Sequence, residues 1–342
     1  MSIDVGQSVD EKEFAIGVDI GGTNTVVGIV SRSGRCVIKT TFPTTEQKNV
    51  EEFIKRLTTT IDKLRGQIPA GSIVGGIGLA APAARHREGI VKDPANLQWG
   101  TVNLVAILKQ QYGMATAITN DSNAAALGEM AYGKGKGLQN FVVLTLGTGL
   151  GAGIVIDGRL LYGNNDMAGE LGHVTLEAGG RLCGCMRRGC AETYVSASGL
   201  RRTAFDLLAR ENDDSILRTI SFNELSSKTI YELACKGDSL ALKAFEVTGD
   251  YLGRLLANTV AAFDPEAIIL TGGLAEAGEL LFRPTRKSFE ESVLGLHKGI
   301  VEILKSAMSN EDAAILGASS LVLGDTFASL KGESRSIFVS QL

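Results

Sequence analysis

Apolar residues along this chain fall into short runs that end at glycine turns, and these runs alternate with stretches of helical spacing. Residues 14–20 form one apolar run, the turn GGTNT follows, and residues 26–30 resume the apolar pattern. This arrangement predicts a strand–turn–strand hairpin. Residues 141–158 repeat it around a second glycine turn.

Between and after the hairpins the spacing changes from that of strands to that of helices. Apolar runs predict further strands, at 73–82, 115–119 and 267–273. Apolar residues three and four positions apart, or alanine-rich composition, predict helices over 50–65, 103–113, 123–133, 193–211, 228–236, 238–263 and 311–324. Strands that alternate with helices are typical of an α/β fold.

The two hairpins resemble each other in sequence. Asp19-Ile20-Gly21 aligns with Thr145-Leu146-Gly147, and after a one-residue slip Gly28-Ile29-Val30 aligns with Gly153-Ile154-Val155. The repetition predicts a duplicated α/β domain with a cleft between the copies, and two unrelated glycine-rich hairpins are the alternative. We expect one domain at 1–119 plus 311–342, with a returning C-terminal helix, and a larger one at 120–310.

Composition and charge exclude several classes of partner. Hydrophobic residues make up 44% of the 342 residues and charged residues 21%, as in ordinary globular proteins. The formal net charge of −4 disfavours binding to nucleic acid. No apolar run approaches the roughly 18 residues that span a membrane, and the first ten residues lack a signal-peptide pattern. These features predict a cytoplasmic protein that binds neither nucleic acid nor membrane.

Both glycine turns are candidate phosphate-binding loops, because glycine lets backbone N–H groups approach an anion. Asp19 ends the strand before the first turn, where it could hold Mg²⁺; a tight hairpin without a ligand is the alternative. The second turn also matches the loose dinucleotide pattern G-x-G-x-x-A, but that motif must open a helix and here a strand follows. The predicted phosphate-binding residues are Asp19, Gly21, Gly22, Thr23, Asn24, Gly147, Thr148 and Gly149.

Asp121 lies where a predicted strand meets a predicted helix. Aspartate or serine at this position is commonly a helix N-cap, so Asp121 or Ser122 could serve that purpose alone. A carboxylate here could equally be the general base that accepts a proton from a hydroxyl during phosphoryl transfer. The spacing alone leaves both interpretations open.

A cluster of His173, Cys183, Cys185 and Cys190 provides one imidazole and three thiols, a complete ligand set for tetrahedral Zn²⁺. Since the four ligands leave no open position, the metal is predicted to be structural; disulfides are the alternative. Glu170 and Glu192 flank the cluster, and their carboxylates could accept hydrogen bonds from sugar hydroxyls.

Taken together, DIGGTNT, Asn120-Asp121 with NAAALGE, LGTGLGAG, GELGH and CGCMRRGCAE resemble the ROK family of sugar kinases and sugar-responsive repressors, over about residues 14–324. The resemblance implies the actin-like, ribonuclease-H-like fold, with ATP, Mg²⁺ and structural Zn²⁺ as cofactors. It implies Asp121 as catalytic base and Gly272 and Gly273 as the loop against the adenosine. The sugar-binding set that it implies is Asn96, Asn120, Asp121, Glu170, His173 and Glu192, with His173 also a zinc ligand.

One residue departs from the family pattern. The zinc segment of the family usually reads CGCGxxGC, and here Met186 replaces the third glycine. A methionine at a positive φ would be strained by about 1 kcal/mol or more. The ligand spacing is intact, so the departure concerns the shape of the loop.

The resemblance also ranks the activities. Repressors of the family carry a DNA-binding module before the first glycine turn, and only a short acidic segment precedes it here. We therefore expect a kinase, most similar to glucokinases, that uses ATP; kinases of N-acetylmannosamine, N-acetylglucosamine, allose or fructose are the alternatives, and polyphosphate is the alternative donor. The resemblance implies a homo-oligomer, a dimer or tetramer. No role is predicted for residues 325–342.

Overall fold

The computed structural model describes residues 13–47, 49–94, 97, 99–309 and 312–323. In chain order the strands are β1 (Glu13–Ile20), β2 (Asn24–Ser31), β3 (Cys36–Pro43), β4 (Ile73–Ala80), β5 (Ala84–Arg85), β6 (Ile90–Val91), β7 (Ala115–Thr119), β8 (Phe141–Leu146), β9 (Leu150–Ile156), β10 (Arg159–Leu160), β11 (Ala267–Thr271) and β12 (Glu302–Lys305). The helices are α1 (Val50–Arg65), α2 (Leu104–Tyr112), α3 (Asp121–Tyr132), α4 (Ala197–Arg210), α5 (Ser227–Cys235), α6 (Ser239–Phe263), α7 (Glu279–Ser292) and α8 (Ala313–Ser320).

The described chain forms two compact units. The first comprises residues 13–137, Tyr162–Asp166 and the segment that contains α8. The second comprises Leu138–Leu161 and residues 167–309. Each unit has its own apolar core around a five-stranded sheet.

The strand order in the first unit is β3-β2-β1-β4-β7. The strands β1, β2 and β3 pair antiparallel, whereas β4 and β7 run parallel to β1. The order in the second unit is β10-β9-β8-β11-β12, again with an antiparallel hairpin edge and two parallel strands beyond it. The two sheets share one scheme, as the repeated hairpins predict.

Helix boundaries follow from local chemistry. The helix α1 begins after Asn49, whose side chain accepts a hydrogen bond from the Glu52 N–H, and its range is the one that the apolar spacing predicts. Asn103 caps α2 in the same way, and Gly113 ends it with φ of 64°. That backbone angle is why glycine stops the helix there.

The helix α8 packs very closely on the sheet of the first unit. An added Cβ on Gly17 of β1 or on Gly78 of β4 would overlap backbone atoms of α8, and one on Gly317 of α8 would overlap Ala124 of α3. Glycine is therefore required on both sides of this contact, which joins β1, β4 and α3 to α8.

The observed division of the chain differs from the boundary expected between Thr119 and Asn120. The helix α3 belongs to the first unit, because it packs against α8, and the change of unit falls after Gly137. Tyr162–Asp166 also belongs to the first unit. Asp166 accepts a hydrogen bond from the Arg87 N–H at 2.8 Å, and the Tyr162 ring stacks on His86 with centroids 4.3 Å apart.

Within the described ranges, no helix has the length and apolar character required to cross a membrane.

Candidate active site

The first glycine turn joins β1 to β2 and is fixed from two sides. The Gly21 N–H donates to the Asn24 carbonyl at 2.9 Å, and the Thr44 N–H donates to the Thr23 carbonyl at 2.7 Å. A Cβ on Gly21 would lie 2.8 Å from the Asn24 carbonyl oxygen, so only glycine fits without a shift. The turn is thus rigid, and the Thr23 and Asn24 side chains remain exposed.

Asp19 stands at the end of β1, directly before this turn, and is half-buried. Burial, and to a smaller extent the negative charge of Asp121, together raise the pKa of its carboxyl to about 6. A divalent cation would reduce the repulsion between these two carboxylates. The pair therefore fits the Mg²⁺ that accompanies a nucleotide.

Asn120, and not Asp121 or Ser122, is the N-cap of α3. The Asn120 Oδ1 accepts a hydrogen bond from the Asn123 N–H at 2.7 Å. Its amide N–H₂ group is the part of the side chain that can still donate to a ligand. Asp121 takes the first helical position and is exposed, and its Oδ1 accepts from the Ser122 N–H at 2.9 Å. Capping thus falls to Asn120, which leaves the exposed Asp121 carboxylate available for chemistry.

The second glycine turn joins β8 to β9 as a hairpin, with Leu146 paired to Leu150. The Gly147 N–H donates to the Gly149 carbonyl at 3.0 Å. Because the turn leads into a strand and not into a helix, the dinucleotide interpretation is wrong, as expected. Gly272 lies against this hairpin with φ of 92°, where an added Cβ would meet Leu146 backbone atoms at 2.6–2.8 Å.

A pocket of about 500 Å³ opens beside the second turn, a size ordinary for a small-molecule site. Gly147 and Thr148 form part of its wall, and Gly273 forms another part. Most of the remaining wall is helical or apolar; it consists of Leu146, Ala197, Ser227, Lys228, Tyr231, Glu232, Phe245, Leu274, Glu276 and Ala277. Of the predicted phosphate and adenosine residues of the second unit, Gly147, Thr148 and Gly273 therefore line one cavity.

The predicted metal ligands of the second unit lie together. Their donor atoms, from His173, Cys183, Cys185 and Cys190, are all within 4.8 Å of one another. The Cys185 and Cys190 sulfurs are 3.6 Å apart, and Nδ1 of His173 is 3.7 Å from the Cys183 sulfur. The donor set and its clustering fit a four-coordinate zinc ion.

The three thiols of the cluster differ in acidity. Burial raises the pKa of Cys183 and raises that of Cys190 to about 12, so both are protonated at neutral pH unless a cation binds. A hydrogen bond from the Arg187 backbone N–H lowers the pKa of the exposed Cys185. Zinc binding would deprotonate all three thiols.

The two nitrogens of His173 face different groups. While Nδ1 points to the thiols, Nε2 is 4.0 Å from a carboxylate oxygen of Glu170. The two nitrogens thus face different groups, and the dual use of the ring for metal and sugar stays a prediction.

Glu192 connects the cluster to the second glycine turn. Its Oε2 accepts a hydrogen bond from the Leu150 N–H at 3.0 Å, and its Oε1 is 3.7 Å from the Cys183 sulfur. An added Cβ on Gly149 would overlap Oε2. The absence of a side chain at Gly149 therefore leaves room for the Glu192 carboxylate beside the turn.

The predicted residues divide between the units. Asp19, the first turn, Asn120 and Asp121 belong to the first unit, whereas Glu170, the zinc cluster, the second turn and Gly272-Gly273 belong to the second. Asn96 lies outside the described residues.

Comparison with known families decides the identity of the chain. The sequence profile of the ROK family matches residues 15–325. The chain belongs to the ROK family. The match covers both glycine turns, the Asn120-Asp121 pair and the zinc segment, which are the residues that carried the resemblance.

Relatives and solved structures within the ROK family agree with this placement. The chain is 36% identical to a glucokinase of Thermotoga maritima, over 90% of this chain and 96% of the relative. It is 35% identical to an N-acetylgalactosamine kinase of Shewanella, over 78% of this chain and 83% of the relative. The crystal structure of a ROK glucokinase from Streptomyces griseus, in complex with glucose and AMPPNP, matches with a TM-score of 0.75 and 32% identity, over 90% of this chain and 99% of that chain. The predicted actin-like ATPase fold is confirmed.

The departure from the ROK zinc pattern has a visible consequence. Met186 has φ of 67°, the left-handed conformation that glycine adopts without strain. Its side chain is 79% exposed, so burial does not compensate for the backbone strain. The Met186 N–H still donates to the Cys183 carbonyl at 3.0 Å, and the loop keeps its turn.

Sequence reasoning missed the helical wall of the pocket and the arginine that precedes the thiols. Lys228 and Tyr231 of α5 line the pocket, but their spacing is only that of an amphipathic helix. Arg181 lies two residues before Cys183, and its many partners come from segments that are distant in sequence. The only feature of the sequence that could have drawn attention to Arg181 is its position next to the Cys183–Cys190 motif.

Proposed function

We propose that this ROK protein transfers the γ-phosphoryl group of ATP to the 6-hydroxyl of glucose. The observation that carries the proposal is the combination of two glycine turns, an exposed Asp121 and a zinc-type cluster that holds Glu192. Support for glucose comes from the glucokinase relative, which matches along nearly its whole length, and from the glucose-bound structure that the chain resembles.

In the proposed reaction the Asp121 carboxylate accepts the proton of the sugar hydroxyl. The hydroxyl oxygen forms a bond to the γ-phosphorus, the bond from the γ-phosphorus to the β,γ-bridging oxygen breaks, and ADP leaves with that oxygen. The backbone N–H groups of both glycine turns bind the phosphates. Asp19 would hold the Mg²⁺ of the nucleotide, which would neutralise charge on the phosphates.

The sugar is bound by carboxylate, imidazole and amide groups. Glu170 and Glu192 accept hydrogen bonds from its hydroxyls, and the Asn120 amide donates one. His173 contacts the sugar through Nε2 while Nδ1 binds zinc together with the three thiolates. Zinc in this role fixes the segment and takes no part in the chemistry, because the four protein ligands fill its coordination shell. Assembly into a dimer or tetramer stays a prediction.

A kinase of an N-acetylhexosamine is the second candidate, since the Shewanella relative carries that activity in its name. The deciding experiment is an ADP-release assay with glucose, mannose, fructose, N-acetylglucosamine, N-acetylmannosamine and N-acetylgalactosamine. We expect the highest kcat/KM for glucose. A higher kcat/KM for any N-acetyl sugar contradicts the glucose assignment. Replacing ATP by polyphosphate in the same assay tests the donor.

A further inference from the structure

Arg181 is the most connected side chain near the zinc cluster, although it is not one of the ligands. Its guanidinium donates to the Asp206 Oδ2 from Nε at 3.1 Å and from Nη2 at 2.5 Å. The third nitrogen, Nη1, donates to the Thr193 carbonyl at 2.8 Å and to the Thr203 hydroxyl at 3.0 Å. The Arg181 side chain is only 15% exposed and that of Asp206 is 51% exposed, so the bonds to Thr193 and Thr203 are better shielded from water than those to Asp206.

Arg181 also packs on the residue that follows Thr193. Its guanidinium lies 4.6 Å from the centre of the Tyr194 ring, and its backbone N–H donates to the Tyr194 hydroxyl at 2.9 Å. The opposite neighbour of Tyr194 is Tyr251 of α6, stacked at 4.1 Å. Arg181 thus contacts Thr193 and Tyr194, the two residues directly after Glu192.

The segment that contains Glu192 and the two residues that Arg181 contacts has little regular secondary structure. Glu192 lies in a 3-10 turn, Ala191–Thr193, and α4 begins only at Ala197. The Glu192 carbonyl accepts a hydrogen bond from the Ser196 hydroxyl at 2.7 Å, and Ser196 is the N-cap of α4. Because a single 3-10 turn is weak in isolation, the position of the Glu192 carboxylate depends on its cross-links.

Two cross-links flank Glu192 in the chain. Cys190, a member of the thiol cluster, lies two residues before it, and the pair gripped by Arg181 follows it. The Glu192 Oε2 accepts a hydrogen bond from the Leu150 N–H at 3.0 Å, and anchors before and after Glu192 fix the backbone from which this carboxylate extends. The planar guanidinium fork suits this task, since it holds carboxylate, carbonyl and hydroxyl acceptors at once.

We propose that Arg181 is a positioning residue for sugar binding, which acts through Glu192 by fixing the segment that follows it. The proposal rests on the proposed function, because it takes Glu192 as a sugar ligand. It assigns Arg181 no contact with the sugar and no part in zinc binding.

The test is a double-mutant cycle with R181A, E192Q and the variant that carries both. We expect R181A to raise the KM for glucose about tenfold or more, the scale expected when a binding group shifts by a fraction of an ångström. The KM for ATP and the zinc content per chain should stay near parental values. In the E192Q background R181A should change the glucose KM little, since the residue through which it acts is already altered.

R188A is the matched control, because Arg188 lies in the same loop and its side chain donates a hydrogen bond to the Gly180 carbonyl at 3.3 Å, away from Glu192. It should leave the glucose KM within about twofold of the parent. R181K retains a charge for Asp206 but not the fork, so it should show an intermediate rise. If R181A is not recovered folded, the cycle with R181K decides on the same criteria.

Equal effects of the Arg181 change in the parental and E192Q backgrounds would overturn the proposal, because they place its action elsewhere. An unchanged glucose KM in R181A would overturn it as well. A parental protein that prefers another hexose contradicts only the glucose assignment, and the cycle is then run with that hexose. A parental protein that binds no hexose overturns both this inference and the proposed function.

Discussion

The two units use one sheet scheme, yet they present their functional groups in different ways. In the first unit Asp19 ends a strand and Asp121 opens a helix, so regular structure places both carboxylates. In the second unit Glu170, His173 and Glu192 lie in 3-10 turns or next to them, where thiols and an arginine supply the order. Two units with the same sheet order can thus position functional groups differently. One places them at the ends of a strand and a helix, and the other places them in turns that side-chain contacts hold.

The two sites also differ in their expected effect on the stability of the folded protein. Burial raises the Asp19 pKa, and repulsion from the Asp121 carboxylate adds to the rise. The carboxylate of Glu192 instead accepts a backbone hydrogen bond at 3.0 Å. The first site should therefore destabilise the free protein, whereas the second should lose function when its supports are removed.

The largest expected effect is at Asp121 in the first unit. Asp121→Asn should lower kcat by about 10²–10⁴-fold, the usual contribution of a general base, while glucose still binds. The ADP-release assay and calorimetric titration with glucose measure the two quantities. Asp62→Asn, on the exposed face of α1, is the control and should behave like the parent. A kcat within tenfold of the parent would remove Asp121 as the base.

The second prediction breaks the cross-link of the second unit. Cys190→Ser should abolish the binding of about one zinc per chain and lower kcat/KM for glucose by about 10²-fold, the scale for misplacing a binding group by about 1 Å. Metal analysis and kinetics measure these changes. Cys235→Ser, an exposed thiol outside the cluster, should leave both unchanged. A metal-free protein with full activity would refute the structural role of zinc.

The third prediction separates stability from activity at Asp19. The carboxyl binds its proton more tightly in the folded protein, since its pKa rises from 3.8 to about 6. Its contribution to stability therefore declines as pH increases from about 4 to about 6 and is constant above that range. Asp19→Asn should stabilise the free protein at pH 7 by at most about 3 kcal/mol, from 1.36 kcal/mol per pKa unit, while kinase activity falls.

Denaturant unfolding at pH 4 and pH 7 measures the Asp19 effect. The gain in stability of Asp19→Asn over the parent should be small at pH 4 and larger at pH 7. Asp121→Asn removes only the charge repulsion and should give a smaller gain, because burial is the main cause of the raised pKa. An equal gain at both pH values would contradict this electrostatic account.

The smallest expected effect is at Met186 in the zinc loop. Met186→Gly should stabilise the protein by about 0.5–1 kcal/mol, because glycine adopts a positive φ without strain but has more freedom when unfolded. Met186→Ala removes the same side chain but keeps a Cβ, so it should not give this gain. Thermal unfolding of the zinc-loaded protein measures both. Equal Tm values for the glycine and alanine variants would show that φ is not the cause.

Much of the framework was predictable because its signals are local. The range of α1 follows from its apolar spacing, and both hairpins follow from apolar runs around glycine. The edge strands β3 and β12 were missed, since they are only partly buried and their sequences carry a weak apolar pattern. The start of α4 was placed too early, because Ala191–Thr193 forms a separate 3-10 turn.

The site was predictable where its residues are close in sequence. The predicted zinc ligands were chosen by their spacing, and the structure brings their donor atoms together. Asp121 and Ser122 were considered as the N-cap of α3 but Asn120 was not, because asparagine, aspartate and serine are all good caps and only geometry selects Asn120. Two hydrogen bonds, from the Arg87 N–H to Asp166 and from Arg181 to the Thr193 carbonyl, join residues that are distant in sequence. Local sequence patterns do not predict such contacts.

The close packing of α8 has a consequence for the order in which the protein is made. The strand β1 precedes the second unit in the chain, yet the face of its sheet at Gly17 and Gly78 is not covered until α8, which the ribosome delivers after the second unit. At synthesis rates of about 5–20 residues per second, the surface around Gly17 and Gly78 waits for its partner while the second unit can already fold. The part of the chain that emerges first is thus the part completed last.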